Sequence, residues 1–225
     1  MVKRANKVQL AMTKSKKREI LDLLYSYNYF GIEYIDSLNY NNNKNKIKFS
    51  NTLDELESDA SHCSLCDLSK GKDTFNFGVG NKYSNIYIIG LTNNQFNSEL
   101  IFDSFKEMIK NILFLDIKDI YITNILKCFT KLNIEKLSKP IKLCENYIFN
   151  QLEIAQPKLI ITLGSAFNHL MKNDENILDI SGNSYKYNNI NLIPLLEPEF
   201  VYKNPSYKDR MENDLKKVKN LLEKR

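Results

Sequence analysis

Short apolar runs rich in Ile alternate along this chain with longer segments whose apolar residues recur at helical spacing. Ile86-Tyr-Ile-Ile-Gly90 reads as a strand ending at glycine, and residues 98–113, with Ile101, Phe102, Phe105, Ile109 and Ile112 on one side, as a helix. Ile120 to Asn124 is a second strand and Cys144 to Ala155 a second helix. Leu159 to Gly164 is a third strand, with a helix beginning near Ser165. Asn191 to Leu196 is a fourth strand, and Lys208 to Lys224 a closing amphipathic helix with Leu215, Val218, Leu221 and Leu222 inward. Strands that are apolar throughout, each followed by a helix, belong to parallel sheets covered on both faces. The pattern predicts an α/β domain over 51–225: three α/β/α layers around a mostly parallel sheet of four strands.

Upstream, Arg18 to Tyr27 carries apolar residues at 20, 21, 23, 24 and 27, a helical face that Gly31 ends. Asn39 to Lys48 is polar, Asn-rich and aperiodic, which reads as a linker. Residues 1–50 are therefore expected to form a helical arm outside the main core. In open parallel sheets, ligands bind beyond the carboxyl ends of the strands. That rule directs attention to Gly90–Gln95, Asn124–Cys128, Gly164-Ser165 and Glu197–Lys203.

Composition narrows the class. An apolar share of 43% and a charged share of 26% over 225 residues fit a globular protein and exclude fibrous or wholly disordered chains. No run approaches the roughly 18 apolar residues of a membrane span, and Met1 to Lys7 lacks the apolar stretch of a secretory signal. A cytoplasmic location, no membrane partner and a monomer are expected. The net charge of +5 is concentrated in the arm. Residues 1–50 hold ten Lys and Arg against four Asp and Glu, whereas the rest holds 22 against 23. A basic arm of this kind tracks phosphate backbones or serves only as a solvated helix face.

The four cysteines carry the strongest chemical signal. Cys63-Ser-Leu-Cys66 is a C-x2-C pair, and Cys128 and Cys144 have 15 residues between them, with no other Cys in the chain. A C-x2-C turn offers two thiolates to one centre, and two more complete a four-sulfur shell. Spacing alone does not separate zinc from iron–sulfur.

Several segments together resemble the iron–sulfur uracil-DNA glycosylases, family 4 of that superfamily. They are His62-Cys-Ser-Leu-Cys-Asp-Leu68, Phe77-Gly-Val-Gly-Asn81, the strand 86–90, Tyr121-Ile-Thr-Asn-Ile-Leu-Lys-Cys128, the gap to Cys144, Gln156 to Gly164, Pro194 to Pro205, and Lys208. The resemblance implies a [4Fe–4S] cluster on Cys63, Cys66, Cys128 and Cys144. It also implies DNA as partner and hydrolysis of the N-glycosidic bond of uracil, or another deaminated base, flipped out of the duplex. Asn124 falls where the family places its base-reading amide. Departures accompany the match. The family's Gly-Glu-Ala-Pro-Gly loop is here Gly90-Leu-Thr-Asn-Asn94, about three residues shorter in its continuation. Gly90-Leu91 instead begins like the loop of family 5. The family's His is Glu197, and its apolar-apolar-Arg wedge is Val201-Tyr202-Lys203.

Each site residue has a chemical reason. Uracil presents carbonyl acceptors and an imide donor, which an amide such as Asn124 matches in both directions. Cleaving the bond builds positive charge on the sugar and negative charge on the base, so a carboxylate or oriented water belongs near the sugar. Glu197 is the first candidate, with Glu99 and Asp103 as alternatives. Phe96 or Phe102 suits stacking on the base, although Phe102 also fits the apolar stripe of its helix. Tyr202 and Lys203 suit duplex insertion and phosphate contact, and Gly90 and Leu91 shape the loop. His169 is expected to pack or face solvent. The rival readings are a non-catalytic DNA-binding module of the same fold and a zinc-stabilised α/β protein with another ligand.

Overall fold

The computed structural model describes residues 51–70, 75–93, 98–130, 132 and 134–223. The helix and linker expected over residues 1–50 lie outside the described residues. The domain opens with α1 (Leu53–Ser61), fixed by a capping box in which Thr52 Oγ1 accepts the Glu55 N–H at 3.2 Å and the Glu55 carboxylate accepts the Thr52 N–H at 3.3 Å. β1 (Val79–Gly80) and β2 (Ile86–Gly90) follow, then α2 (Glu99–Leu113), whose N-cap Ser98 accepts the Ile101 N–H. β3 (Tyr121–Asn124) leads into α3 (Ser138–Ala155), and β4 (Leu159–Leu163) into α4 (Ala166–Met171) and α5 (Ile177–Ile180). β5 (Tyr185–Tyr187), β6 (Ile190–Leu195), α6 (Pro198–Lys203) and α7 (Lys208–Glu223) complete the domain. No described helix is long and apolar enough to cross a membrane.

The sheet order is β1-β3-β2-β4-β6-β5, with β3, β2, β4 and β6 parallel and both edge strands antiparallel. The four expected strands are the parallel centre, and the sheet of six corrects the expected count. β1 is only two residues long and exposed, too short to register as an apolar run. β5 pairs with β6 through the two-residue turn Asn188-Asn189, both at positive φ (44° and 70°). That turn suits the twist of a hairpin, and Asn tolerates the conformation. Residues 198–203 form α6, with Pro198 in the first turn, where its missing N–H costs nothing.

Alternation along the strands divides the core. Tyr87, Ile89, Tyr121, Ile160 and Leu192 face α1, α3 and α4, while Ile86, Ile88, Ile122, Ile161, Ile193 and Leu195 face α2 and α7. Three layers result. The same parity continues past the core. Thr123 lies on the α1–α3 side and Asn124, two residues from Ile122, on the α2 side.

Candidate functional site

β2 and β3 end in register, Gly90 opposite Asn124. Beyond them the two chains stay joined, because Ile125 and Leu126 donate their N–H groups to the carbonyls of Gly90 and Leu91 at 2.8 and 2.9 Å. A cavity of about 530 Å³ opens where they part. Asn124 and Ile122 line it from the sheet, Asn93 from the loop after β2, and Ser98, Glu99 and Phe102 from the start of α2. Phe75, Asn76, Val79 and Phe129 close it on the side of β1. Asn124 is 5% exposed, and its Nδ2 donates to Asn93 Oδ1. A buried amide held by a neighbouring amide, among three phenylalanines, is suited to a flat, polar-edged ring.

The expected site residues divide between this cavity and other places. Asn124 and Phe102 line it together, so Phe102 is partly buried against the core and faces the cavity at once. Gly90 closes the strand beneath, and Leu91 is a core residue on the α1–α3 side, 1% exposed. Glu197 is not among the lining residues. It is the N-cap residue of α6, two positions beyond β6, and packs on the turn after β4, where Gly164 takes φ +55° and an added Cβ would lie 2.4 Å from Glu197 Cγ. Burial there pushes the Glu197 carboxyl up from its ordinary value of 4.5, and the Glu199 charge adds to the effect. Lys203 is exposed and paired with Glu199 at 2.6 Å, while Tyr202 is 52% exposed beside α2. Asp103 pairs with Lys106 at 2.6 Å and borders a different hollow beside α2. His169 is partly buried in α4, which lowers its pKa. Phe96 lies outside the described residues.

The cysteines come from three segments: the turn after α1, the end of the β3 loop, and the interior of α3. Cys63 packs against the core cluster that contains the buried Cys144. The thiols feel one another. Burial pushes Cys128 up to about 11, aided by the charges of Cys66 and Cys63, and Cys144 up to about 12, opposed by the Lys127 N–H and charge and aided by Cys128 and Cys63. Backbone donors already face two sulfurs: Lys127 N–H to Cys144 at 3.3 Å and Leu65 N–H to Cys63 at 3.5 Å. Among the described residues, no three His, Cys, Asp or Glu side chains gather tightly enough for a single metal ion.

Several functional positions carry no clear signal in the sequence. Phe75 and Phe129 flank the cysteine segment, Phe75 by an isolated antiparallel bridge to Cys128 and Phe129 as its neighbour in sequence. Lys127 is 1% exposed; its Nζ donates to Gln151 Oε1, to Thr123 Oγ1 at 2.7 Å and to the Phe77 carbonyl at 3.4 Å. Burial lowers its pKa to about 7, opposed by the Cys144 and Glu57 charges. Adjacency to Cys128 is the only signal for Phe129, and nothing in the pattern distinguishes Lys127 from a solvated lysine.

A sequence model described as "Uracil DNA glycosylase superfamily" matches residues 77–220, more than half of the chain. The chain belongs to the uracil DNA glycosylase superfamily. Within that superfamily it is similar to a Type-4 uracil-DNA glycosylase of Archaeoglobus fulgidus, 28% identical over 77% of this chain and 95% of the relative. A Type-4 uracil-DNA glycosylase of Sulfurisphaera tokodaii is 32% identical over 51% of this chain and 56% of the relative. One of Saccharolobus solfataricus is 28% identical over 76% and 86%. The α/β/α layering of the sheet and its helices is consistent with that membership.

Proposed function

We propose that this protein is a DNA glycosylase that hydrolyses the N-glycosidic bond of uracil, or another deaminated base, extruded from DNA. The observation that carries the reading is Asn124, buried at the end of β3 in a cavity with aromatic walls. Extruded bases are read by hydrogen bonds to their Watson–Crick edge and by stacking. Asn124 supplies the first, and Phe102, Phe75 and Phe129 the second. The names of the Type-4 relatives support uracil as the first substrate to test. Tyr202 and Lys203, at the exposed end of α6, are assigned to the duplex, the ring to the stack and the ammonium to a phosphate.

Cys63, Cys66, Cys128 and Cys144 are assigned to a [4Fe–4S] cluster. The donor set fits: four soft thiolates, mutually close enough to perturb one another, with N–H groups facing two of the sulfurs. When bound, the cluster supplies a cross-link among segments separated in sequence. Cys128 lies between two cavity walls, Phe129 beside it and Phe75 across the bridge, so holding Cys128 holds them. Cys144 and Cys63 lie with the core on the Thr123 side of β3, whereas the base cavity lies on the Asn124 side, so a cluster held there would brace the strand from the other face.

The test is excision on duplex and single-stranded DNA carrying uracil, hypoxanthine or xanthine. Wild-type protein is expected to release at least uracil, and Asn124→Ala to lose release while keeping non-specific DNA binding, because phosphate contacts carry that affinity. A second reading, a DNA-binding module without chemistry, draws on the placement of Glu197. It stands where the family has His, and it packs on Gly164 instead of lining the cavity. A wild type that binds DNA yet leaves every deaminated base in place selects that reading.

A further inference from the structure

Hydrolysis at the sugar needs a group that takes a proton from water, and neither Glu197 nor Asp103 lines the base cavity. Glu99 does. It is the first residue of α2, one turn before Phe102 on the same helix. Among the described residues it is the only ionisable group lining the cavity; the others are apolar, amides, or the Ser98 hydroxyl. Residues 94–97, Asn-Gln-Phe-Asn, add no acid in sequence. The nearest charges on α2 are Asp103 and Lys106, which pair with each other at 2.6 Å.

Resting on the glycosylase reading, we infer that Glu99 is the catalytic carboxylate, acting on the water that attacks the sugar. The placement follows from the geometry. Asn124 and Phe102 fix the base within the cavity, and Glu99 stands one turn before the stacking ring on the same helix. As the C1′–N bond breaks, its electron pair leaves with the base, whose negative charge the Asn124 Nδ2 donor meets. The water oxygen bonds to C1′ and its proton passes to the Glu99 carboxylate. From there the proton goes to the released base or to solvent, leaving free base and an abasic sugar. Before the attack, the same carboxylate faces the positive charge growing on the sugar.

The deciding experiment measures single-turnover uracil release against pH for wild type, Glu99→Gln, Glu99→Asp and Glu107→Gln, with DNA binding and thermal melts on each. Glu99→Gln is expected to lose 10²-fold or more in rate, in the range for a positioned acid or base, with unchanged DNA affinity and melting. Wild-type rate is expected to fall on the acid side as a single carboxylate protonates, and Glu99→Asp to keep that limb at a lower rate. Glu107→Gln, exposed on α2, is expected to match wild type. An active wild type with Glu99→Gln equally active, or with the same acid limb, overturns this assignment alone. So does a rate loss accompanied by equal loss of DNA binding and melting temperature. A wild type inert on every deaminated base removes the glycosylase reading and this one with it.

Discussion

Asn124 and Glu197 both stand at carboxyl ends of parallel strands, yet their surroundings make opposite demands. Asn124 is buried and neutral, and its amide is held by Asn93, so orientation is its problem and a neighbour solves it. Glu197 is a carboxylate pressed against the Gly164 turn, so ionisation is its problem. Burial, and then the charge of Glu199, raise its folded pKa above 4.5, which places the cost of the charged form on the fold. A raised acid pKa means stability is fully present below the unfolded value and is lost as pH rises through the folded one. Glu197→Gln removes that loss. The variant is expected to melt above wild type at pH 7–8, with the gain shrinking to nothing below about pH 4, where both side chains are neutral. Equal melting temperatures at pH 8 would contradict the burial argument.

At the scale of elements, the segment around Cys128 joins two functions. It follows β3, whose last residue reads the cavity, and it bridges to Phe75 while carrying Phe129. Lys127 fastens the same segment to α3 through Gln151 and to β3 through Thr123. If the four thiols hold the proposed cluster, its loss is expected to damage the aromatic walls more than non-specific contact with DNA. Cys128→Ser should lower bound iron and the absorbance near 400 nm, and should reduce uracil release at least tenfold while non-specific DNA binding changes less than threefold. Equal loss of both would mean general unfolding rather than a loosened cavity. The first helix offers a simpler check. Thr52→Ala removes the acceptor of the Glu55 N–H in the capping box and should cost about 1 kcal/mol, read as a lower melting temperature.

For the whole molecule, charge is separated by position. Residues 51–225 are almost neutral, and the basic excess sits in residues 1–50. If those residues meet phosphate, deleting 1–50 should weaken DNA binding and flatten its salt dependence, by a log–log slope of about 0.9 for each duplex phosphate that is no longer neutralised. An unchanged slope would mark them as a solvated face. The deletion should leave bound iron unchanged, because all four cysteines lie beyond residue 50.

Periodicity alone determined the parallel centre of the sheet. β2 and β4 are buried at every position, and only strands covered on both faces tolerate such unbroken apolar runs. The edge strands were not legible, since β1 spans two exposed residues and β5 is only partly buried, leaving no apolar signature. Asn124 was legible as a strand-end residue because that position is a property of the chain, and the fold puts it on the cavity wall. Phe102 was ambiguous, since one helix face serves both core and cavity, and only packing shows that it touches each. The sequence put Glu197 ahead of Glu99 and Asp103 by its position in the chain, not by where each carboxylate points. Folding separated them by direction: one onto a glycine turn, one into the cavity, one into a surface ion pair. Residue type sets what chemistry a side chain can perform, and the direction in which its backbone points it is set by contacts distant in sequence.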